Sequence, residues 1–116
     1  MYINGAPDTP WLHTAADVDR LIEECFAQGA EAALLYAANL PPRFFDLSSG
    51  EAGAIVQKLR NYRIRLAVVY DPQRVTLSRR FPDLLAEERR DVFFGLFESA
   101  EAAGAWLAAH SQEGRP

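Results

Sequence analysis

Asp46-Leu47-Ser48-Ser49-Gly50 sets a carboxylate, two hydroxyls and a glycine directly ahead of an apolar stretch with helical spacing. Residues of these types at a helix start can do one of two things. Free backbone N–H groups and the positive end of the helix dipole favour an anion there, and the hydroxyls of Ser48 and Ser49 add donors. Alternatively, the hydroxyls satisfy those same N–H groups while Asp46 accepts turn hydrogen bonds. Ser48-x-x-Glu51 has the capping-box form, which suits the second role. Gly50 and Gly53 would admit a ligand, or let helix and sheet pack closely. A second polar group, Asp71, Arg74, Thr76 and Arg79, follows the next apolar run. Asp46 and Asp71 together would offer a carboxylate pair for acid–base work, at a separation the sequence leaves open. Arg74 and Arg79 would serve as counter-charges to a bound anion.

Other chemistries find no support. His13 and His110 lie near opposite ends and the single cysteine, Cys25, falls in an apolar stripe, so no zinc ligand set and no internal disulfide form. There is no Walker A sequence, no Gly-x-Gly-x-x-Gly and no Gly-x-Ser-x-Gly, and no cofactor is expected. Phe44, Phe45, Phe93, Phe94 and Phe97 read as core or interface. A net charge of −4 argues against a nucleic-acid partner. The charge is uneven: Lys58 to Arg90 holds nine basic and four acidic residues, and the remainder three basic and twelve acidic. Such asymmetry can mark a face for an anionic ligand, or only the solvated sides of several elements. No apolar run reaches the roughly 18 residues of a membrane span, and the N-terminus lacks the features of a signal peptide. A cytoplasmic, membrane-free protein is the expectation.

The elements that must position these groups follow from periodicity. Thr14 precedes a stripe of Val18, Leu21, Ile22, Cys25 and Phe26, closed by Gly29, which predicts a first helix. Residues 32–37, AALLYA, form a continuous apolar run suited to a strand covered on both faces, and Asn39-Leu40-Pro41-Pro42 stops it. A second helix is predicted from about Gly50 to Tyr62, burying Ala52, Ile55, Val56 and Leu59. A strand at 64–70 ends at Asp71-Pro72. A third helix is predicted from Ser78 to Glu88, a strand from Val92 to Phe97, and a last helix capped by Ser99 that buries Ala103, Trp106 and Leu107. With a short strand at Tyr2-Ile3, this alternation implies one α/β domain over residues 1–116, a mostly parallel sheet of about four strands. Residues 1–13 hold the short strand and its loop, and 111–116 a flexible tail.

The stretch FFDLSSGEAGAIVQKLRNYRIRLAVVYD resembles the signature of a bacterial family described as domain of unknown function 4180. The family pattern is matched at Phe44, Phe45, Asp46, Leu47, Ser49, Gly50, Ala52, Gly53, Gln57, Lys58, Tyr62 and Leu66 to Val69. The resemblance carries no assigned function. It implies a hairpin at the N-terminus, of which this chain has room for one strand, and an Asn-rich Gly-Arg turn where this chain has Glu88-Arg89-Arg90-Asp91. More loosely, the element order is similar to the STAS fold of anti-sigma-factor antagonists, whose Asp-Ser-Ser-Gly run holds a regulatory phosphoserine. This chain carries an extra Leu47 within that run.

Two functional expectations follow. The first is a non-catalytic regulatory or interaction module of STAS-like type, meeting a protein partner around Ser48, Ser49 and Gly50. Ser49 is favoured as phospho-acceptor because the family pattern keeps a hydroxyl there. The second is a small enzyme or sensor that binds an anionic metabolite between the loops after strands 32–37 and 64–70. A homodimer is also expected, paired along the Tyr2-Ile3 edge with apolar contact from Trp11, Leu12 and Val92 to Phe97.

Overall fold

The computed structural model describes residues 2–79, 81–83 and 93–110. Four strands, β1 (Tyr2–Asn4), β2 (Ala32–Tyr36), β3 (Arg65–Val69) and β4 (Phe94–Phe97), form a single sheet in the order β1-β2-β3-β4. Every neighbouring pair is parallel. Among the described residues, three helices of ten or eleven residues accompany them: α1 (Val18–Gln28), α2 (Glu51–Asn61) and α3 (Ala100–Ala109). The α/β class, the four parallel strands and the alternating helices are therefore as the sequence predicts. No helix among the described residues is long and apolar enough to cross a membrane.

The unbroken apolar runs have the cause expected of them, since both sheet faces are covered. Ala33 and Leu35 of β2 and Leu66 and Val68 of β3 face the larger core, built with α1 and α2. Ala32, Leu34 and Ala67 face a smaller core with Ala103 and Leu107 of α3. Because each strand is added on the same side of the last, right-handed crossovers place α1 and α2 on one face. The chain after β3 returns to that face as well, where Val75, Leu77 and Phe81 join the larger core. Among the described residues no strand follows β4, and α3 packs on the opposite face.

Local chemistry sets the element ends. Gly29 terminates α1 at φ 65°, the left-handed conformation that glycine adopts at least cost. Ser99 caps α3, its hydroxyl oxygen accepting from the Ala102 N–H at 3.1 Å. Thr14 is followed by a 3-10 turn over Ala15–Asp17 rather than by α1 itself, and the Asp17 carboxylate accepts the His13 and Thr14 N–H groups at 2.8 and 3.2 Å.

Three expectations are corrected. Phe26, assigned to the buried stripe of α1, is 61% exposed, because it lies on the flank of the helix and meets Tyr62 instead of the sheet. Trp106 is half-buried, its ring against Phe97 and His110. β4 begins at Phe94, and Phe93 lies under the Arg65 guanidinium, 5.5 Å from ring to cation. Of the helix expected over 78–88, residues 81–83 are helical and most of the rest lies outside the described residues, as do Val92, the Glu88–Asp91 turn and the 111–116 tail. The apolar groups proposed for an edge-paired dimer are largely engaged within the protomer: Leu12 and Phe94 are buried and Trp11 packs on the core.

Candidate functional site

The paired phenylalanines anchor the Asp-Ser-Ser-Gly turn from below. Phe44 and Phe45 are buried and meet edge-on at 5.1 Å, with Phe81, Phe94 and Tyr70 around them. Above this cluster Asp46 begins a 3-10 turn over Leu47–Ser49. Its Oδ1 accepts the Ser48 N–H at 3.1 Å and the Ser48 hydroxyl at 2.7 Å. The Ser49 hydroxyl donates to the Arg43 carbonyl at 2.8 Å and accepts the Glu51 N–H at 3.2 Å. Ser48 therefore does not cap α2 as the capping-box pattern implied. The helix starts at Gly50, whose φ of 80° turns the chain from the 3-10 turn into α2. Gly53 has open space where a Cβ would stand, so close helix–sheet packing is not its role.

The loops after β2 and β3 are joined, as their shared sheet edge requires. The Leu47 N–H donates to Ser78 Oγ at 2.9 Å, and the Ser78 N–H to the Phe45 carbonyl at 3.0 Å. Asp71 closes its own turn: its carboxylate accepts the Gln73 N–H at 2.9 Å, and its carbonyl the Arg74 and Val75 N–H groups.

A cleft of about 260 Å³ opens at the carboxyl ends of all four strands. Pro7 and Asp8 enter it from the loop after β1, Tyr36 from the end of β2, and Ala37 and Ala38 from the 3-10 turn that follows. Val69 comes from the end of β3, Tyr70, Asp71, Arg74 and Val75 from the loop after it, and Glu98 is the residue after β4. The topology explains its position. The chain leaves β3 for one face of the sheet and β4 for the other, and such a divergence between neighbouring strands opens a crevice at their carboxyl ends.

Of the residues singled out in the sequence, Asp71 and Arg74 line this cleft; Asp46, Ser48, Ser49, Gly50, Gly53, Thr76 and Arg79 do not. Asp8 and Glu98 carry no motif that marks them in the sequence, although both follow strands and the rule about carboxyl ends applies to every strand of the sheet. In the sequence, Asn39 stands out only as a breaker ahead of Pro41-Pro42. It is buried, its Oδ1 accepts the Tyr36 N–H at 2.7 Å, and its amide donates to the Ala6 and Thr9 carbonyls, each at 2.7 Å. Those bonds tie the loop carrying Asp8 to the end of β2.

The electrostatics differ from the linear charge pattern. The cleft is lined by three acidic residues, Asp8, Asp71 and Glu98, and one basic residue, Arg74. The basic segment is dispersed among the elements: Lys58 pairs with Asp19 on the helices at 2.6 Å, and Arg65 stacks on Phe93. Cys25 is fully buried, and burial pushes its thiol up to about 11, which makes it a poor nucleophile.

Comparison with curated proteins and with solved structures finds no match for this chain. The model of the family described as a domain of unknown function, DUF4180, matches residues 1–107, and the chain belongs to that family.

Proposed function

We propose that the protein is a non-catalytic regulatory module that senses a small polar molecule in the cleft at the carboxyl edge of its sheet. One observation carries this reading: the cleft is built from the ends of all four strands and is lined by Arg74 and by the acidic residues Asp8, Asp71 and Glu98. Three acidic groups against one basic group disfavour a simple anion. They favour a molecule bearing an amine, held by the carboxylates, together with an anionic group facing Arg74. Tyr36 and Tyr70 supply the apolar walls that such sites commonly have.

A thermal-shift screen tests the reading, with free amino acids and other zwitterions in one arm, and nucleotides and sugar phosphates in the other. A ligand at 100 times its Kd stabilises the fold by about 2.7 kcal/mol. Zwitterions are expected to raise the melting temperature, and both Arg74→Ala and Asp71→Asn to abolish the rise. No response in either arm overturns a small-molecule role, and a response to phosphates alone overturns the ligand chemistry.

A second reading keeps the Asp-Ser-Ser-Gly turn as a modification site, and the hydroxyl it favours is that of Ser48, which is exposed while Ser49 is half-buried and engaged on both sides. A phosphate on Ser48 would set about two negative charges against Asp46 and open the turn. Intact mass of the protein from its native host checks this, a phosphate increment lost in Ser48→Ala being the supporting result.

A further inference from the structure

Ala6-Pro7-Asp8-Thr9 forms a β-turn after β1, closed by the Thr9 N–H, which donates to the Ala6 carbonyl at 3.3 Å. Proline at the second position presets φ there, and Asp8 stands at the apex beside it. Asn39 grips both ends of this turn. Its side-chain amide donates to the Ala6 and Thr9 carbonyls, each at 2.7 Å, and its backbone carbonyl accepts the Leu12 N–H at 2.8 Å. Its Oδ1 accepts the Tyr36 N–H, which fixes the clamp to the end of β2. Gly5 leaves room for it, since a Cβ there would collide with Asn39 Oδ1. The clamp is buried, whereas the apex it holds is exposed and enters the cleft. The fold makes no use of that apex. Among the described residues the Asp8 carboxylate has no hydrogen-bond or ion-pair partner, and neither has the Arg74 guanidinium.

From this arrangement we infer that Asp8 is the carboxylate that selects the amine of the cleft ligand, with Asn39 as its positioning residue. These roles rest on the cleft being a site for a zwitterion, and they say which of its groups discriminates. Asp71 is partly committed already, because its Oδ1 accepts the Gln73 N–H and its carbonyl closes the turn that carries Arg74. Glu98 follows β4, at the edge of the sheet farthest from β1. Asp8 combines a free carboxylate with a backbone held at both ends. A charge whose backbone has lost its freedom before the ligand arrives gives up less on binding than a mobile one. It also holds a fixed direction toward the amine, which suits a charge-assisted hydrogen bond. Arg74, on its own closed turn, faces the acid group of the same ligand.

Probes that differ only in the amine test these roles: free amino acids against their des-amino counterparts, such as alanine against propionate and phenylalanine against phenylpropionate, titrated calorimetrically into the full chain. The wild-type protein is expected to prefer the amine-bearing member of a pair. Asp8→Asn keeps the size of the side chain and should lower that preference about tenfold or more, the effect of losing one charged hydrogen bond. Arg74→Ala should weaken both members alike, since both carry the acid group. Asn39→Ala should also lower the preference, but in the Asp8→Asn background it should change it less than about twofold. A merely structural asparagine would lower the melting temperature and leave the preference where it was. If Asn39→Ala does not fold, Pro7→Gly loosens the same turn from its exposed side, and the same non-additivity is expected. Amine-bearing probes that bind with a preference indifferent to Asp8→Asn overturn the role of Asp8 and leave the cleft reading standing. Full additivity with Asp8→Asn overturns the role of Asn39. A wild-type protein that binds no free amino acid overturns the cleft reading itself, and both roles with it.

Discussion

Asn39 is the one buried polar side chain among the described residues, and its amide group joins the loop after β1 to the end of β2. Its replacement by alanine leaves a buried N–H and two carbonyls without partners. Asn39→Ala should therefore cost about 2–3 kcal/mol in urea denaturation. Asn39→Asp should be no milder, since a carboxylate would then face the Ala6 and Thr9 carbonyls. Gly5 belongs to the same joint, because a Cβ there would collide with the Asn39 side-chain oxygen. Cys25 gives a prediction with a defined sign. Its thiol ionises near 9.0 in the unfolded chain and near 11 in the fold, where burial disfavours the thiolate. Between those values the unfolded chain loses its proton first, so this residue's contribution to stability falls as pH rises. Cys25→Ala should flatten that part of the stability–pH curve. In the native protein the thiol should resist aromatic disulfide reagents until the chain is unfolded.

At the scale of elements, the start of α2 separates backbone demand from side-chain demand. Gly50 holds φ at 80° with nothing near its missing Cβ, so Gly50→Ala should cost about 1–2 kcal/mol through backbone strain alone. Gly53 lies within the helix with ordinary dihedrals and open space around it, so Gly53→Ala should stabilise by about 0.5–1 kcal/mol. Thermal denaturation of the two variants side by side checks the opposite signs. If Gly53→Ala lowers stability, that glycine meets something outside the protomer, such as a ligand.

At the scale of the molecule, an aromatic cluster connects segments distant in sequence. Phe44 and Phe45 come from the loop after β2, Phe81 from the segment after β3 and Phe94 from β4. Phe44 is fully buried at its centre, and Phe44→Ala should cost about 3–5 kcal/mol. Against a typical total of about 5–15 kcal/mol, that is enough to threaten the whole fold. The expected observation is a loss of near-ultraviolet circular dichroism at temperatures where the unaltered protein is folded.

Periodicity alone determined the class, the strand and helix order and most of the core. Apolar runs such as 64–70 and stripes such as Ala52, Ile55, Val56 and Leu59 record burial through local spacing, and local spacing is what a sequence displays. The signature around Phe44 to Val69 also indicated the family. Only the tertiary structure decided which polar groups meet. Asp8, Asp71, Arg74 and Glu98 come from loops after three different strands, and they converge because the chain leaves β3 and β4 toward opposite faces of the sheet. The Ser48-x-x-Glu51 pattern suggested a cap, but Gly50 took that position once its positive φ let a 3-10 turn run into α2. Phe26 fitted the stripe of α1 by spacing yet faces solvent, because the width of a helix's buried face is set by the elements packed against it.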